Sequence, residues 1–276
     1  MQDQAVQRPR RGRPASAGGE PASEVQSLDR AISILEAVAA ADGVSLSEIA
    51  RRTGYPVSTV HRLLATLQNR GLASHDPATG LWMVGVGLFR LGSAYLRIRK
   101  LPEIARPIIR EVLEAVDETV NVTVVDGDEI VCVAQAESHA AVRAFFRLGR
   151  RLPFHASAAG KAVLAASSPE RQAQLVERLE LETFTPNTAH SRKKLMKRLA
   201  ETTSRGYAID DEEHTPGMRC VAAAILDEWG EPVGAVSISA PSVRMPAERI
   251  ESLGAVARET AARLTTLYSG REPADS

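Results

Sequence analysis

With 276 residues, 44% of them hydrophobic and 25% charged, the chain has the make-up of an ordinary globular protein and the length for two domains, each with its own core. It has no run of about 18 apolar residues, its N-terminus is Arg-rich without an apolar stretch, and two cysteines, Cys132 and Cys220, are too few for a disulfide framework. No membrane span or secretory signal is therefore expected, and a reducing cytoplasm is. The formal charge of zero hides an asymmetry: residues 1–100 hold 13 Lys/Arg against 8 Asp/Glu, while residues 101–276 hold 21 against 26, so attraction for phosphates is concentrated in the N-terminal part.

Residues 1–24 are rich in Gln, Arg, Pro, Ala, Ser and Gly, too poor in apolar side chains to bury a core, and read as a disordered basic tail. Within it, Arg8-Pro9-Arg10-Arg11-Gly12-Arg13-Pro14 carries an Arg-Gly-Arg-Pro core similar to an AT-hook, whose arginines enter a narrow A·T minor groove; a solubilising tail is the competing reading. A domain over 25–86 follows. Ser27 is placed as the cap of a first helix with Leu28, Ala31, Ile32, Leu35 and Val38 on its packed face. Residues 44–84 then read as a winged helix-turn-helix. Ser45-Leu46-Ser47-Glu48 is a capping box opening a short helix that ends at Gly54. Pro56 stands at the first turn of a second helix, where Val60, Leu63, Leu64 and Leu67 recur at helical spacing. Ser58, Thr59, His61, Arg62 and Thr66 are left on the other face, donors suited to the phosphates and base edges of double-stranded operator DNA. Arg51 and Arg52 end the preceding helix, placed either to grip the backbone or to be solvated surface. Gly71 closes the second helix, and Leu72–Ser74 and Leu81–Val84 flank the turn Asp76–Gly80 as a two-stranded wing. A purely structural helical hairpin is the alternative; helix, glycine turn, polar-faced helix and hairpin in this order favour DNA binding.

Residues 87–101 form a linker helix with Leu88, Leu91, Tyr95 and Ile98 along one side, an apolar edge expected to pair with a second copy, and Pro102 breaks it. From 102 to 270 the pattern is mixed. A helix at 103–117 leads into a hairpin of Val120–Val125 and Ile130–Gln135 about Asp126-Gly127-Asp128, then a strand over Val142–Arg147. Helices follow at 157–166, 169–180 and 191–205. A hairpin pairs Arg219–Asp227 with Val233–Ser239, and a helix from Pro246 to Tyr268 precedes a disordered polar tail, 271–276. Hairpins with helices between them, and no regular βαβ alternation, predict an α+β fold with an antiparallel sheet covered by helices.

Several of these residues resemble a known family. Gly54-x-Pro56-x-Ser58-Thr59-Val60-His61-Arg62-Leu63-Leu64, with Gly71-Leu72 and Asp76-Pro77-x-Thr79-Gly80, is similar to the IclR family of bacterial transcriptional regulators. The likeness continues through Arg151-Leu152-Pro153-x-His155-Ala156-Ser157-Ala158-Ala159-Gly160-Lys161, the run Gly206–His214, Cys220-Val221-Ala222-Ala223 and Ser237-Ile238-Ser239, covering about residues 25–270. The resemblance implies a winged helix-turn-helix joined by a linker helix to a GAF-like effector domain, dimers that commonly pair into tetramers, and control of a catabolic operon by a small metabolite. The segments around Asp210, Cys220 and Ser237/Ser239 look most like the glyoxylate-sensing branch, typified by the repressor of allantoin use. Carried over from that branch, Asp210, Met218, Cys220, Ser237 and Ser239 would line the effector site, beside the amides of Ala159 and Gly160.

The residues themselves describe a compatible pocket. Ser237 and Ser239, two apart on a strand, direct both hydroxyls to one face amid apolar Ala235, Val236, Ile238 and Ala240. His155–Lys161 opens a helix with small residues, and the N–H groups of a helix start attract a carboxylate. The run is no nucleotide loop, because Lys161 is followed by Ala162 rather than Ser or Thr. A two- to four-carbon 2-oxo acid is expected, glyoxylate first and pyruvate or another small carboxylate next. Three alternatives stand beside it: a metal or redox sensor using Cys220 and His214 with Asp210 and Glu213 near by, a nucleophile–base pair of Cys220 with His155 or His214, and an enzyme with an appended DNA-binding module. The spacing fits no standard zinc finger and nothing places an oxyanion hole, so no metal, cofactor or catalytic role is expected. Cys132 reads as core.

Overall fold

The computed structural model describes residues 25–98, 100–144 and 147–269; the basic stretch Arg8–Pro14 and the tail 271–276 lie outside them. The chain divides into two units after Ala94.

In the first unit, α1 (Gln26–Ala39), α2 (Leu46–Thr53) and α3 (Val57–Asn69) enclose a core with a small antiparallel sheet, β1 (Val44–Ser45), β2 (Ala73–Asp76) and β3 (Leu81–Val84), in the order β1-β3-β2. Ile34, Val38, Ile49, Val60, Leu64 and Trp82 meet in its interior. Three local expectations are corrected here. Ser27 lies inside α1, whose cap position is Val25 with no side-chain bond. Leu28 and Ile32 are exposed, while Val38 is buried and Leu35 packs on the core as expected, joined by Ile34, so the first turns of the predicted stripe are the part that is wrong. The capping box is half made: Ser45 Oγ accepts the Glu48 N–H at 3.3 Å, but the Glu48 carboxylate turns to Arg51 and Arg52.

The wing returns to α4 (Val86–Ile98) through a main-chain stitch. Gly85 N–H donates to Leu72 O at 2.9 Å and Gly87 N–H to Gly71 O at 2.8 Å. A Cβ on Gly85 would lie 2.2 Å from Gly71 O, and one on Gly87 2.6 Å from it, so neither position admits a side chain without moving backbone. Pro102 does not break α4, which has already ended. It sits in the first turn of α5 (Leu101–Val116), where a missing N–H costs nothing.

The second unit is built on one antiparallel sheet, ordered β6-β5-β4-β9-β8-β7. Its strands are β4 (Thr119–Asp126), β5 (Glu129–Ala136), β6 (Arg151–Pro153), β7 (Ala208–Asp211), β8 (Met218–Leu226) and β9 (Pro232–Pro241). One face is covered by α5 and by α9 (Ala247–Ser269). Ile108, Ile109 and Val112 from α5 and Leu253, Ala257 and Leu264 from α9 pack there on Val120, Val122, Val221, Val236 and Ile238. The other face carries α6 (Ala158–Ala166), α7 (Pro169–Arg178) and α8 (Arg192–Arg205) over Ile130, Cys220, Ala222 and Ala235. The α+β reading holds, with one strand misplaced and β7 not foreseen. Val142, Arg143 and Ala144 form no strand; the Ala144 carbonyl accepts the Thr119 hydroxyl at 3.0 Å and Arg143 pairs with Glu137. The edge of β5 is instead paired by Arg151–Pro153, while Phe145 and Phe146 lie outside the described residues.

Gly85→Ala is expected to lower stability by about 1–3 kcal/mol, the usual cost of forcing an atom into filled space. Gly92→Ala, where nothing lies within 4 Å, should leave it unchanged or raise it by up to about 1 kcal/mol. Thermal unfolding of the two variants checks the contrast.

Candidate functional site

The polar side of α3 is presented by its own amphipathicity. Val60, Leu64 and Leu67 are buried, which leaves Ser58, His61, Arg62 and Thr66 exposed and Thr59 half-buried between the faces. The Thr66 hydroxyl donates to Arg62 O at 3.0 Å, so Ser58, His61 and Arg62 are the residues of this face best placed to reach a nucleic acid. Arg51 and Arg52 share one carboxylate, with Arg51 Nε at 2.8 Å and Arg52 Nε at 2.7 Å from Glu48. Hydrogen bonds from the two guanidinium groups hold Glu48 down at about 2. Any grip of these arginines on a phosphate would compete with that pairing. In the wing turn, Asp76 accepts the Ala78 N–H at 2.9 Å and the Thr79 hydroxyl at 2.7 Å, an Asx-type turn that fixes the hairpin tip.

A cavity in the second unit follows from strand alternation. Val120, Val122 and Val124 point to the α5/α9 core, so Asn121 and Thr123 point the other way; on β9, Val236 and Ile238 pack inward and Ser237 and Ser239 turn out. Across the sheet, Asp210 pairs in register with Cys220, and Cys220 with Ser239. This polar row is roofed by Ser157, Ala158 and Ala159 at the start of α6 and flanked by His214, Thr215 and Met218. The cavity is small, about 30 Å³, room for two or so waters or a molecule of a few heavy atoms.

The polar groups are ordered by one another. Gln135 Nε2 donates to Asn121 Oδ1 at 2.9 Å, and Asn121 Nδ2 to Ser239 Oγ at 3.4 Å. Ser157 donates its hydroxyl to Pro153 O at 2.7 Å and accepts the Gly160 N–H at 3.0 Å. Burial pushes the Asp210 carboxyl up to about 7 against the pull of Lys161. Burial, with the Asp210 charge adding, pushes the Cys220 thiol up to about 12, and burial lifts Cys132 to about 11.

Of the residues picked from sequence, Ala159, Asp210, Met218, Cys220, Ser237 and Ser239 line this cavity. Gly160 stands behind it. Its amide is taken by Ser157, and a Cβ there would lie 2.4 Å from Phe154 Cα, so its smallness serves the contact between α6 and the preceding loop. Asn121, Thr123, Ser157 and Thr215 were not picked, and Cys132, read as core, also reaches the wall. Asn121 and Thr123 carry the signal that singled out Ser237 and Ser239: polar side chains alternating with valines. Among the described residues no three His, Cys, Asp or Glu side chains gather as a metal site. Cys220 is a thiol that resists ionisation and is a poor nucleophile. His155 Nε2 lies 2.8 Å from Glu182 O and its ring stacks on Phe184, so a Cys220–His155 pair is not assembled.

Directly behind the cavity lies a charge cluster. Lys161 and Arg198 both pair with Glu213 Oε1, and the Glu213 N–H donates to Asp210 Oδ1 at 2.7 Å. Lys161 and Glu213 are 1% and 2% exposed. The hydroxyl of Thr188 fixes the Glu213 carbonyl at 2.6 Å.

Comparison with known proteins agrees with both halves of this architecture. Residues 27–77 match the profile described as IclR helix-turn-helix domain, and residues 93–266 that described as Bacterial transcriptional regulator IclR C-terminal. The chain is 41% identical over 264 residues to the HTH-type transcriptional regulator BhcR of Paracoccus denitrificans, covering 96% of this chain and 95% of that one. It is 38% identical over 258 residues to the HTH-type transcriptional repressor AllR of Escherichia coli, covering 93% and 95%. Identities this close do not assign a branch. The crystal structure of the Thermotoga maritima IclR superposes with a TM-score of 0.73 at 30% identity, over 89% of this chain and 100% of that one.

Glu213→Ala would leave the enclosed Lys161 ammonium without its carboxylate, and is expected to cost about 3–5 kcal/mol. Urea unfolding followed by circular dichroism measures it; a loss below about 1 kcal/mol would mean that the pair is not holding this region together.

Proposed function

Because the chain belongs to the IclR family of bacterial transcriptional regulators, we propose that it acts in the cytoplasm as a one-component switch for a catabolic operon, set by glyoxylate or a similar small 2-oxo acid. The family assigns DNA binding to the N-terminal helix-turn-helix and effector binding to the C-terminal domain, and its members are regulators rather than enzymes. The observation that carries the effector class is the cavity: small, and walled by Asn121, Ser237 and Ser239 next to the start of α6. Hydroxyl and amide groups can pair a carbonyl oxygen or its hydrate, and the first turn of α6, at Ala159, favours a carboxylate. A small acid suits this space better than an aromatic one. Pyruvate, one methyl larger, is the second reading.

On the DNA side, Ser58, Thr59, His61 and Arg62 are proposed as the base and phosphate contacts. Among the described side chains of α4, Val86, Phe89 and Leu91 are 77%, 72% and 61% exposed, while Leu88 is half-buried. Tyr95 and Ile98, expected on the same side as Leu88 and Leu91, lie outside the described side chains; the exposed apolar residues of the helix support pairing with a second copy as a dimer or a dimer of dimers. A palindromic operator with half-sites about one helical turn or a multiple apart then follows. Control requires the effector to bind one arrangement of the subunits better than another.

In a mobility-shift assay on the chain's own promoter region, Arg62→Ala is expected to weaken retardation by about 1–3 kcal/mol, the worth of a good base contact; unchanged retardation at every salt concentration would displace α3 as the reading helix. Calorimetric titration with glyoxylate, pyruvate and benzoate should show heat for the first two only. Binding of benzoate alone would overturn the effector class.

A further inference from the structure

We propose that Lys161 is a positioning residue for specificity: the enclosed Lys161–Glu213 pair, joined by the half-buried Arg198, makes the cavity select small monoanions, each taken up together with one proton on Asp210. This rests on the reading of the cavity as a carboxylate site. Lys161 and Glu213 do not line the cavity and act through Asp210, which does, and which is tied to the cluster by the Glu213 N–H. Two cations face two carboxylates, so the cluster is neutral when Asp210 is ionised. A carboxylate entering the cavity adds a negative charge, and an uncompensated buried charge is strongly unfavourable. Protonating Asp210 restores the balance and turns its carboxyl from a repelling acceptor into a donor for the incoming oxygen. A dianion of the same size would need a second proton, and the Asp210 carboxylate takes only one.

The other groups around Asp210 do not serve as well. Cys220, across the β7–β8 register, is already a neutral thiol, pushed up to about 12 by burial. His214 is held below its ordinary value by burial, with Arg150 and His155 adding. Burial draws the Lys161 ammonium down, and the carboxylates of Glu213 and Asp210 oppose it. Arg198 of α8 stays paired with Glu213. Asp210, raised to about 7, is the group whose charge changes near neutrality. The sign follows: the free site is largely protonated at pH 6 and largely ionised at pH 8, so an anion binds more weakly, and takes up more proton, as pH rises.

The test is calorimetry of the full chain with glyoxylate and pyruvate at pH 6, 7 and 8, each in two buffers of different ionisation enthalpy. Expected are an uptake rising from about 0.1 to about 0.9 proton per ligand and an affinity falling about tenfold from pH 6 to pH 8. Oxalate should bind far more weakly than glyoxylate. Asp210→Asn should flatten the pH profile and abolish the uptake, whereas His214→Gln should leave the uptake in place. Lys161→Met should abolish the uptake at pH 8, because Asp210 without its cation stays protonated. Binding of glyoxylate with no proton exchange and no pH dependence, or oxalate bound as tightly, overturns this proposal and leaves the carboxylate site standing. Absence of binding by both 2-oxo acids at every pH overturns the site itself, and the proposal with it.

Discussion

The central strands β4, β8 and β9 are covered on both faces, and the two faces have different chemistry. Toward α5 and α9 the alternate residues are mostly valine, isoleucine or alanine, and this side supplies the apolar burial that holds the unit together. Toward α6 the same strands present Asn121, Thr123, Cys220, Ser237 and Ser239. A pleated strand cannot move one set without moving the other. The tightly packed side therefore fixes the polar side, and the cavity inherits its geometry from a core that does not line it.

Helix α6 closes the arrangement because small residues let it come close. Phe154 and Gly160 meet at backbone distance, Ser157 caps the first turn, and Lys161, one residue later on the same helix, is carried to Glu213. Roof and charge cluster are thus set by a single element. The short polar row at the sheet and the ion cluster behind it are consecutive layers, linked through Asp210.

Much of this was legible in the residue order. The period-two pattern gave the two hairpins and the hydroxyl pair of β9; helical spacing gave α3 and its outward polar face. Other parts were not local properties. The stripe of α1 was placed through Leu28 and Ile32, since apolar side chains at helical spacing fit more than one face and only the neighbouring helices decide between them. Val142–Arg147 looks like a strand, yet the edge of β5 was already taken by Arg151–Pro153, a competition that propensity does not record. Lys161 and Glu213 are 52 positions apart, and nothing in either segment announces the other. Asn121 and Thr123 could have been found by the rule applied to Ser237 and Ser239.

The stitch between Gly71, Leu72, Gly85 and Gly87 has a corollary for α3. It joins the end of α3 to the start of α4 through main-chain hydrogen bonds, in which the exposed side chains Ser58, His61 and Arg62 of α3 take no part. Substitution at Ser58, His61 or Arg62 would therefore leave this join intact, so the exposed face of α3 is free to change its chemistry at no cost to the connection.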